Sequence, residues 1–166
     1  MKIYKELEIT ESELKEILRK HELWLKGEPC GECANLKYCD LTGANLEGAN
    51  LEWGCFDEAN LDGANLENAN LECSSFDDAY LRYANFKNAN VEHAYFRNAD
   101  LKNTNFENAN CENARFWHTY LENANFKGAN VIKTDFWDAD LKNANFENAN
   151  LKWAKFDNTV LQKSKN

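Results

Sequence analysis

Three cysteines near the start of the chain have spacings that suggest metal or redox chemistry. Cys30 and Cys33 form a CxxC motif, and Cys39 follows six residues later. A structural zinc site needs four ligands. The sequence offers no second pair, and His21 would have to complete the set from a separate segment. A redox CxxC motif is typical of a βαβ context, which is missing here. We therefore assign no metal ligands and predict no cofactor. The sequence alone leaves open whether Cys30, Cys33 and Cys39 bind a metal.

The histidines do not predict an active site. They are scattered at His21, His93 and His118. His118 and Asp138 lie twenty residues apart, a spacing at which they could pair. A catalytic dyad also needs a nucleophile or a bound water in a pocket. The sequence predicts a convex surface without a cleft, so we expect no enzymatic activity and no small-molecule substrate.

Charge and hydropathy limit the partners. The net charge is −9, which argues against nucleic-acid binding. Residues 30–79 hold eleven acids and one lysine, whereas residues 80–166 have a net charge of +2. No run approaches the roughly 18 apolar residues of a membrane span. The first thirty residues lack the apolar region of a signal peptide. We expect a cytoplasmic protein with reduced cysteines and no membrane contact.

The elements that position these residues follow a period of five. From Leu36 to Leu161, all 26 residues at every fifth position are apolar, and the residue two places before each is small. This period fits neither a helix nor a flat strand. A short fixed repeat predicts a solenoid, in which each unit packs only against its neighbours.

A second period of twenty divides the repeat into four sets. One set has Phe at every position from Phe56 to Phe156, the next has Leu from Leu41 to Leu141, and the third changes from Leu to Phe at Phe86. The fourth set is slimmer. Four sides per turn explain the pattern, because Phe on two opposite sides leaves room only for smaller residues on the others. Asparagines from Asn50 to Asn150 are expected to bond between turns.

The units Ala-Asn-Leu-Glu-Gly, Ala-Asn-Leu-Glu-Asn and Ala-Asn-Phe-Lys-Asn resemble the A(D/N)LXX motif of the pentapeptide-repeat family over residues 34–161. The resemblance implies an all-β fold, a right-handed quadrilateral parallel β-helix. Twenty-six units give about 6.5 turns and a length of about 31 Å at the spacing of stacked strands. Quinolone-resistance members of the Qnr and Mfp types resemble B-form DNA and bind DNA gyrase. The Qnr type carries loops that this chain lacks.

The N-terminal segment predicts a cap for the first turn. Residues 1–9 alternate weakly at Ile3, Lys5, Leu7 and Ile9, which indicates a short strand. A capping box at residues 10–13 predicts a helix over 11–25, which Gly27 and Pro29 end. We divide the chain into a cap (1–29), the β-helix (30–162) and a tail (163–166).

Three surfaces are candidates for binding. Stacking places four glutamates in one column with further acids beside it, an acidic surface that would attract a basic partner or solubilise the solenoid: Glu52, Glu72, Glu92, Glu112, Asp57, Glu58, Asp77 and Asp78. Trp117 and Trp137 share an outward column, as a partner surface or as a stabilising aromatic pair. The last turn exposes an apolar end that predicts an end-to-end homodimer, the alternative being a monomer: Trp153, Phe156, Val160 and Leu161.

The sequence therefore predicts a structural protein that presents an acidic β-helical surface for protein–protein binding. The alternative is a DNA mimic that binds DNA gyrase or another type II topoisomerase.

Overall fold

The computed structural model describes residues 7–161. Its regular elements are strand β1 (Leu7–Glu8), helix α1 (Glu11–Leu25) and strand β2 (Cys39–Asp40). Strands β1 and β2 pair in parallel, with Leu7 opposite Cys39. The predicted N-terminal strand therefore includes Leu7 but ends before Ile9. Ile3, Lys5 and the predicted tail lie outside the described residues.

Helix α1 begins with the predicted capping box. Thr10 Oγ1 accepts a hydrogen bond from the Glu13 N–H at 3.2 Å, and Glu13 Oε2 accepts from the Thr10 N–H at 2.8 Å. The apolar side of the helix packs on the first turns of the repeat, with Leu14 buried. The helix ends at Leu25, and Gly27 follows with a φ of +70°, a conformation that glycine adopts without strain.

The repeat forms a coil in which residues twenty apart pair in parallel. These bridges, each one residue long, run from Asn35 to Val160 in four ladders. We name each ladder by its first residue: Asn35, Asp40, Asn45 and Asn50. Each turn also bonds to the next through backbone hydrogen bonds such as Leu46 N–H to Asn65 O at 2.8 Å. Twenty residues therefore make one turn, as the second period predicts.

Apolar side chains fill the interior of the coil. The central residue of each unit and the small residue two places before it are buried along most of its length. Phe rings form one stack from Phe56 to Phe156 with centroids 4.6–5.2 Å apart. A second stack runs from Phe86 to Phe146 at 4.8–4.9 Å. The two stacks meet edge to face at 5.6–6.1 Å, so the two Phe-bearing sets contact each other across the interior.

Asparagine side chains bond the turns to one another, as predicted. Along the Asn50 ladder the side-chain amide of each Asn donates to the Asn of the preceding turn, at 2.9–3.0 Å as far as Asn130. The Asn45 ladder has the same contacts to Asn145 at 3.0–3.2 Å. Two of the four ladders are therefore held by continuous side-chain amide chains.

The third residue after each ladder position adopts a left-handed backbone conformation. The φ values lie between 54° and 69° at these corners, from Tyr38 to Asn158. Asn and Gly tolerate this region best, which explains their frequency there. The period alone did not predict these turns, although the Asn and Gly enrichment is the signal that would have identified them.

Candidate interaction surfaces

Neutral donors hold the Glu52 column, which consists of four stacked glutamates: Glu52, Glu72, Glu92 and Glu112. Asn110 Nδ2 donates to Glu92 Oε2 at 3.1 Å, and the same contact recurs at 3.5 Å one turn before and one turn after. The Trp53 indole N–H donates to Glu52 Oε1 at 3.0 Å. Amide and indole donors carry no charge, so they fix these carboxylates without neutralising them. Lys133 lies 3.6 Å from Glu112, at the end of the column.

Aspartates replace missing asparagine acceptors beside the column. In most units the ladder Asn accepts the backbone N–H two residues on, as Asn90 Oδ1 does from Glu92 N–H at 3.3 Å. Ser75, Tyr80 and Tyr95 stand at ladder positions instead of Asn or Asp. In these units the N–H bonds to an aspartate of the preceding turn, at 2.8–3.2 Å: Asp77 N–H to Asp57, Arg82 N–H to Asp62, and Arg97 N–H to Asp77.

The two acids at the neighbouring corners have weaker structural attachments. Glu58 lies 3.5 Å from Lys37, and Asp78 accepts a hydrogen bond from Asn98 Nδ2 at 3.0 Å. Asp77 is more deeply set, and burial raises the pKa of its carboxyl while the Arg97 N–H and guanidinium oppose the rise. Position on the repeat therefore separates Asp57 and Asp77, which complete the backbone bonding, from Glu58 and Asp78, which face outward.

The acidic half of the chain keeps most of its charge in the folded protein. Of the eleven acids in residues 30–79, three lie within 4 Å of a cation among residues 7–161: Glu32, Glu58 and Asp77. The others bond to amide, hydroxyl or indole groups, or have no cation nearby in that part of the chain. The surface is therefore a set of carboxylates with fixed positions and little internal neutralisation.

An aromatic and arginine cluster lies on the Asn35 ladder, in the second half of the chain. The Arg115 guanidinium lies 5.0 Å from the Tyr95 ring centre and 5.1 Å from that of Trp117, distances at which cation–π attraction operates. Trp137 is 40% exposed. Trp117 is more buried than the sequence predicts, because Arg115 lies over its ring, and its Nε1 is buried without a hydrogen-bond partner among the described residues. The pair is therefore one exposed and one partly covered indole.

His118 and Asp138 do pair, as their spacing suggests. His118 Nδ1 lies 2.8 Å from Asp138 Oδ2, and the His118 ring meets Trp137 edge to face. Both residues line an open groove of about 470 Å³ with Tyr120 and Asp140. Among residues 7–161, no cysteine, serine or lysine lines this groove.

The six cysteines differ in how deeply their thiols are buried. All six are free thiols. Cys33 donates to the Trp53 carbonyl at 3.3 Å, and burial raises the pKa of Cys33, Cys39 and Cys55. Within residues 7–161 no three His, Cys, Asp or Glu side chains are grouped to hold a metal ion.

His21 joins the helix to the coil, although the sequence identified it only as a possible ligand. Its ring is fully buried, and Nδ1 accepts the Ala34 N–H at 3.0 Å. The ring stacks on Trp24 with centroids 5.6 Å apart. Burial lowers the pKa of His21, and the Glu52 backbone carbonyl and carboxylate oppose this. An accepting Nδ1 requires the neutral ring, so the contact depends on His21 being unprotonated.

The last described turn leaves apolar side chains exposed. Trp153 is 63% exposed, Val160 54% and Leu161 60%, with Leu151 beside them at 42%. Phe156 is partly buried, because it stacks on Phe136. Three of the four residues predicted for an end contact are thus exposed.

Within residues 7–161 no helix is long and apolar enough to span a bilayer.

The geometry defines a class of protein: a parallel β-bridged coil of five-residue units with a helix at one end. A family model for the pentapeptide repeat region matches residues 33–106 and 53–125, and a model for eight copies of the pentapeptide repeat matches 124–162. The chain belongs to the pentapeptide repeat family.

Solved structures of this family resemble the chain. The pentapeptide repeat protein Rfr23 from the cyanobacterium Cyanothece 51142 is 30% identical, with a TM-score of 0.53, over 90% of this chain and 99% of that one. A thylakoid-lumen protein from Arabidopsis thaliana is 25% identical over 61% and 63%, with a TM-score of 0.38. QnrB1, a plasmid-mediated fluoroquinolone resistance protein, is 15% identical over 75% and 80%, with a TM-score of 0.28. Among curated protein sequences, none matches significantly.

Proposed function

We propose that this protein is a non-enzymatic scaffold that presents an acidic surface to a basic protein partner. The surface consists of the Glu52 column together with Asp57, Glu58, Asp77 and Asp78. The observation that carries the proposal is the way the column is held. Neutral Asn amides fix Glu72, Glu92 and Glu112 in register, and the neutral Trp53 indole holds Glu52. Among the described residues, Lys133 beside Glu112 is the one lysine or arginine within 4 Å of the column. A preorganised array of like charge lowers the ordering cost of binding and steers an oppositely charged partner.

We infer a right-handed, four-sided β-helix of about six and a half turns, in line with the family's repeat and with four bridge ladders per twenty residues. Such a helix does not deform easily, because every turn bonds to both neighbours. We place the protein in the cytoplasm, where its six cysteines stay reduced.

A pull-down with a charge-neutral variant tests the proposal. Glu52, Glu72, Glu92 and Glu112 changed together to Gln keep their acceptor oxygens for the Asn amides and lose four charges. The matched control changes Glu107, Glu122 and Glu147 to Gln, on other ladders. We expect the wild type and the control to retain the same basic protein from a cell extract and the column variant to lose it. Equal retention by all three would contradict the proposal.

A type II topoisomerase is the second candidate partner for the same surface. The specific observation in its favour is the column itself, in which carboxylates follow one another along one ladder at about the 4.8 Å spacing of paired strands, with Lys133 beside the last of them. A supercoiling assay with DNA gyrase, with and without a quinolone, tests it. Inhibition or protection that the column variant lacks would support a DNA mimic, and the absence of both at about micromolar protein would remove it.

We also propose an end-to-end homodimer through the last turn. Trp153, Val160 and Leu161 are exposed on the last described turn, and the edge of a coil exposes backbone groups that invite pairing. Contact with a second copy would bury these apolar side chains and pair the exposed backbone groups.

A further inference from the structure

We propose a second, lateral self-association surface, on which two copies of this chain pair antiparallel through their Asn35 faces. The Asn35 face consists of the residues of the Asn35 ladder and the residues two and three places after each. It holds the aromatic and arginine cluster of Tyr95, Arg115, Trp117 and Trp137. The proposal goes beyond the scaffold function. The face shares four acids with the acidic surface, so a second copy and a basic partner would compete for them: Asp57, Glu58, Asp77 and Asp78.

Charge along the Asn35 face changes sign in a self-complementary order. The first level carries Lys37, the next two carry only acids, the following two carry arginine without acids, and the sixth is acidic. The levels in order are Lys37; Asp57 and Glu58; Asp77 and Asp78; Arg97; Arg115; and Asp135 with Asp138. Their signs are +, −, −, +, +, −. The seventh level, Lys155 with Asp157, has no net charge. Reversing the first six levels about the midpoint between Asp77 and Arg97 places each of them opposite a level of the other sign, and the seventh level then lies beyond the pair.

The geometry of such a pair follows from the ladder. A twofold axis that crosses the face between the levels of Asp77 and Arg97 reverses one copy and keeps each column over itself. Asp77 then faces Arg97 of the second copy, and Glu58 faces the level of the second copy that carries His118 and Arg115. Within one chain Arg97 already lies 3.3 Å from Asp77. The centre of the interface is therefore a cluster of two carboxylates and two guanidinium groups, with opposite charges alternating.

The other three faces lack this order. On the Asn45 face, Glu47 would meet Glu147. On the Asp40 face, Asp62 would meet Glu122, and on the Asn50 face Glu92 would meet Glu112. Each of these oppositions is repulsive. Self-complementarity at all three pairs of levels is thus confined to the face that also carries the aromatic cluster.

The aromatic side chains supply the apolar part of the interface. Tyr95 and Trp137 are each 40% exposed, and Trp117 lies between their levels. Tyr, Trp and Arg are the residues most enriched at protein interfaces and at their energetic centres. By contrast, the outward positions of the Asn45 face from 45 to 148 hold only Asn, Gly, Glu and Lys. Because the whole face carries both signs of charge in the matching pattern, a second copy fits its full length, whereas a basic partner fits only the acidic levels of Asp57 and Asp77.

Charge reversal tests the lateral pair. Sedimentation velocity is measured on the full chain carrying Leu161→Lys, which removes the proposed end contact, at about 20 mM salt, where screening is weak. We expect a dimer that dissociates at about 500 mM salt. Arg115→Glu and Glu58→Lys should each raise the dissociation constant about tenfold or more. The double variant should return it to within about threefold of the starting value.

The double variant makes the test specific. Glu58 and Arg115 lie three levels apart in one chain, about 14 Å at the turn spacing, so rescue reports pairing between copies. Lys127→Glu and Glu67→Lys reverse charges at the same levels on the Asn45 face and should leave the mass unchanged. The proposal is overturned if the protein stays monomeric at about 100 µM and low salt. It is equally overturned if the control reversals act like the Asn35-face ones, or if the double variant shows no rescue.

Discussion

At the scale of single residues, the structural role of an acidic side chain depends on its position in the repeat. Asp57, Asp62 and Asp77 accept backbone N–H groups that an asparagine would otherwise bond, at units where Ser or Tyr occupies the ladder position. The carboxylate of their neighbour Asp78 instead accepts a hydrogen bond from the Asn98 side chain. A composition count treats all of these as surface charge, whereas their positions in the unit give them different energetic roles.

Asp77 and Asp78 provide a direct comparison of these roles. Asp77→Ala should lower the free energy of unfolding by about 1–3 kcal/mol, because it leaves the Arg97 N–H without its acceptor. Asp78→Gly removes the same charge at an exposed corner, where glycine adopts the φ of +60° without strain, and should change stability by less than about 0.5 kcal/mol. Asp77→Asn keeps an acceptor oxygen and should recover most of the loss. Urea unfolding measures all three, and equal effects of Asp77→Ala and Asp78→Gly would refute the assignment.

At the scale of elements, helix α1 and the first turn meet at a titratable contact. His21 is buried, accepts the Ala34 N–H and stacks on Trp24. Lys20 and Glu32 form an ion pair at 2.9 Å nearby, and strand β1 pairs with β2 at the same end. Of these contacts, only the one through His21 requires an uncharged ring.

The helix contact should weaken in acid. Burial lowers the pKa of His21 in the folded protein, so above about pH 6.5 the ring is neutral in both states and its contribution is complete. As the pH falls below that value, His21 of the unfolded protein binds a proton before His21 of the folded protein does, so the free energy of unfolding falls. The total loss is about 1.4 kcal/mol for each unit by which folding lowers the pKa of His21.

His21→Gln supplies the control, because Gln can accept the Ala34 N–H and does not titrate. Thermal unfolding followed by the helical signal in circular dichroism should show a steeper loss for the wild type between pH 7 and pH 5 than for His21→Gln. Parallel curves for the two proteins would show that His21 is not the titrating group.

Much of this structure follows from the sequence, and the remainder has physical causes. The five-residue period gave the buried positions, and the period of twenty gave the bridge partners, because core packing and stacking both repeat strictly. The capping box gave the start of α1. The partial burial of Trp117 did not follow, since it depends on where the Arg115 side chain turns. Likewise His21 sits in the core only because the helix docks on the coil, a tertiary event that helical periodicity does not encode.

At the scale of the whole molecule, the three candidate surfaces are centred on different parts of the coil. The acidic surface runs from Glu52 to Glu112, the aromatic and arginine cluster from Tyr95 to Trp137, and the apolar end is the last described turn. These are the places where the repeat departs from its average. The core explains why the chain folds, and the departures are where partners are expected.

High salt distinguishes the end-to-end dimer from the lateral pair, because salt screens contacts between charges and not contacts between apolar side chains. In about 500 mM salt, which screens the lateral pair, the wild type should still sediment as a dimer held by apolar area. Leu161→Lys and Phe156→Lys should each give a monomer, because they place a charge in the buried contact. Lys142→Glu, on the same half of the coil but away from the end, should leave the mass unchanged. A mass that is the same for the wild type and Leu161→Lys would exclude the end contact.

The central claim is that the Glu52 column and its neighbouring acids form a preorganised binding surface. The most direct measurement is residue-resolved NMR of the full chain titrated with a lysine-rich peptide of about ten residues, at about 150 mM salt. We expect shift changes to concentrate on residues 50–113 of the Asn50 ladder and on Asp57, Glu58, Asp77 and Asp78, and we expect the four-Gln variant to lose them. Shifts spread evenly over every acidic residue, or unchanged in the variant, would contradict it.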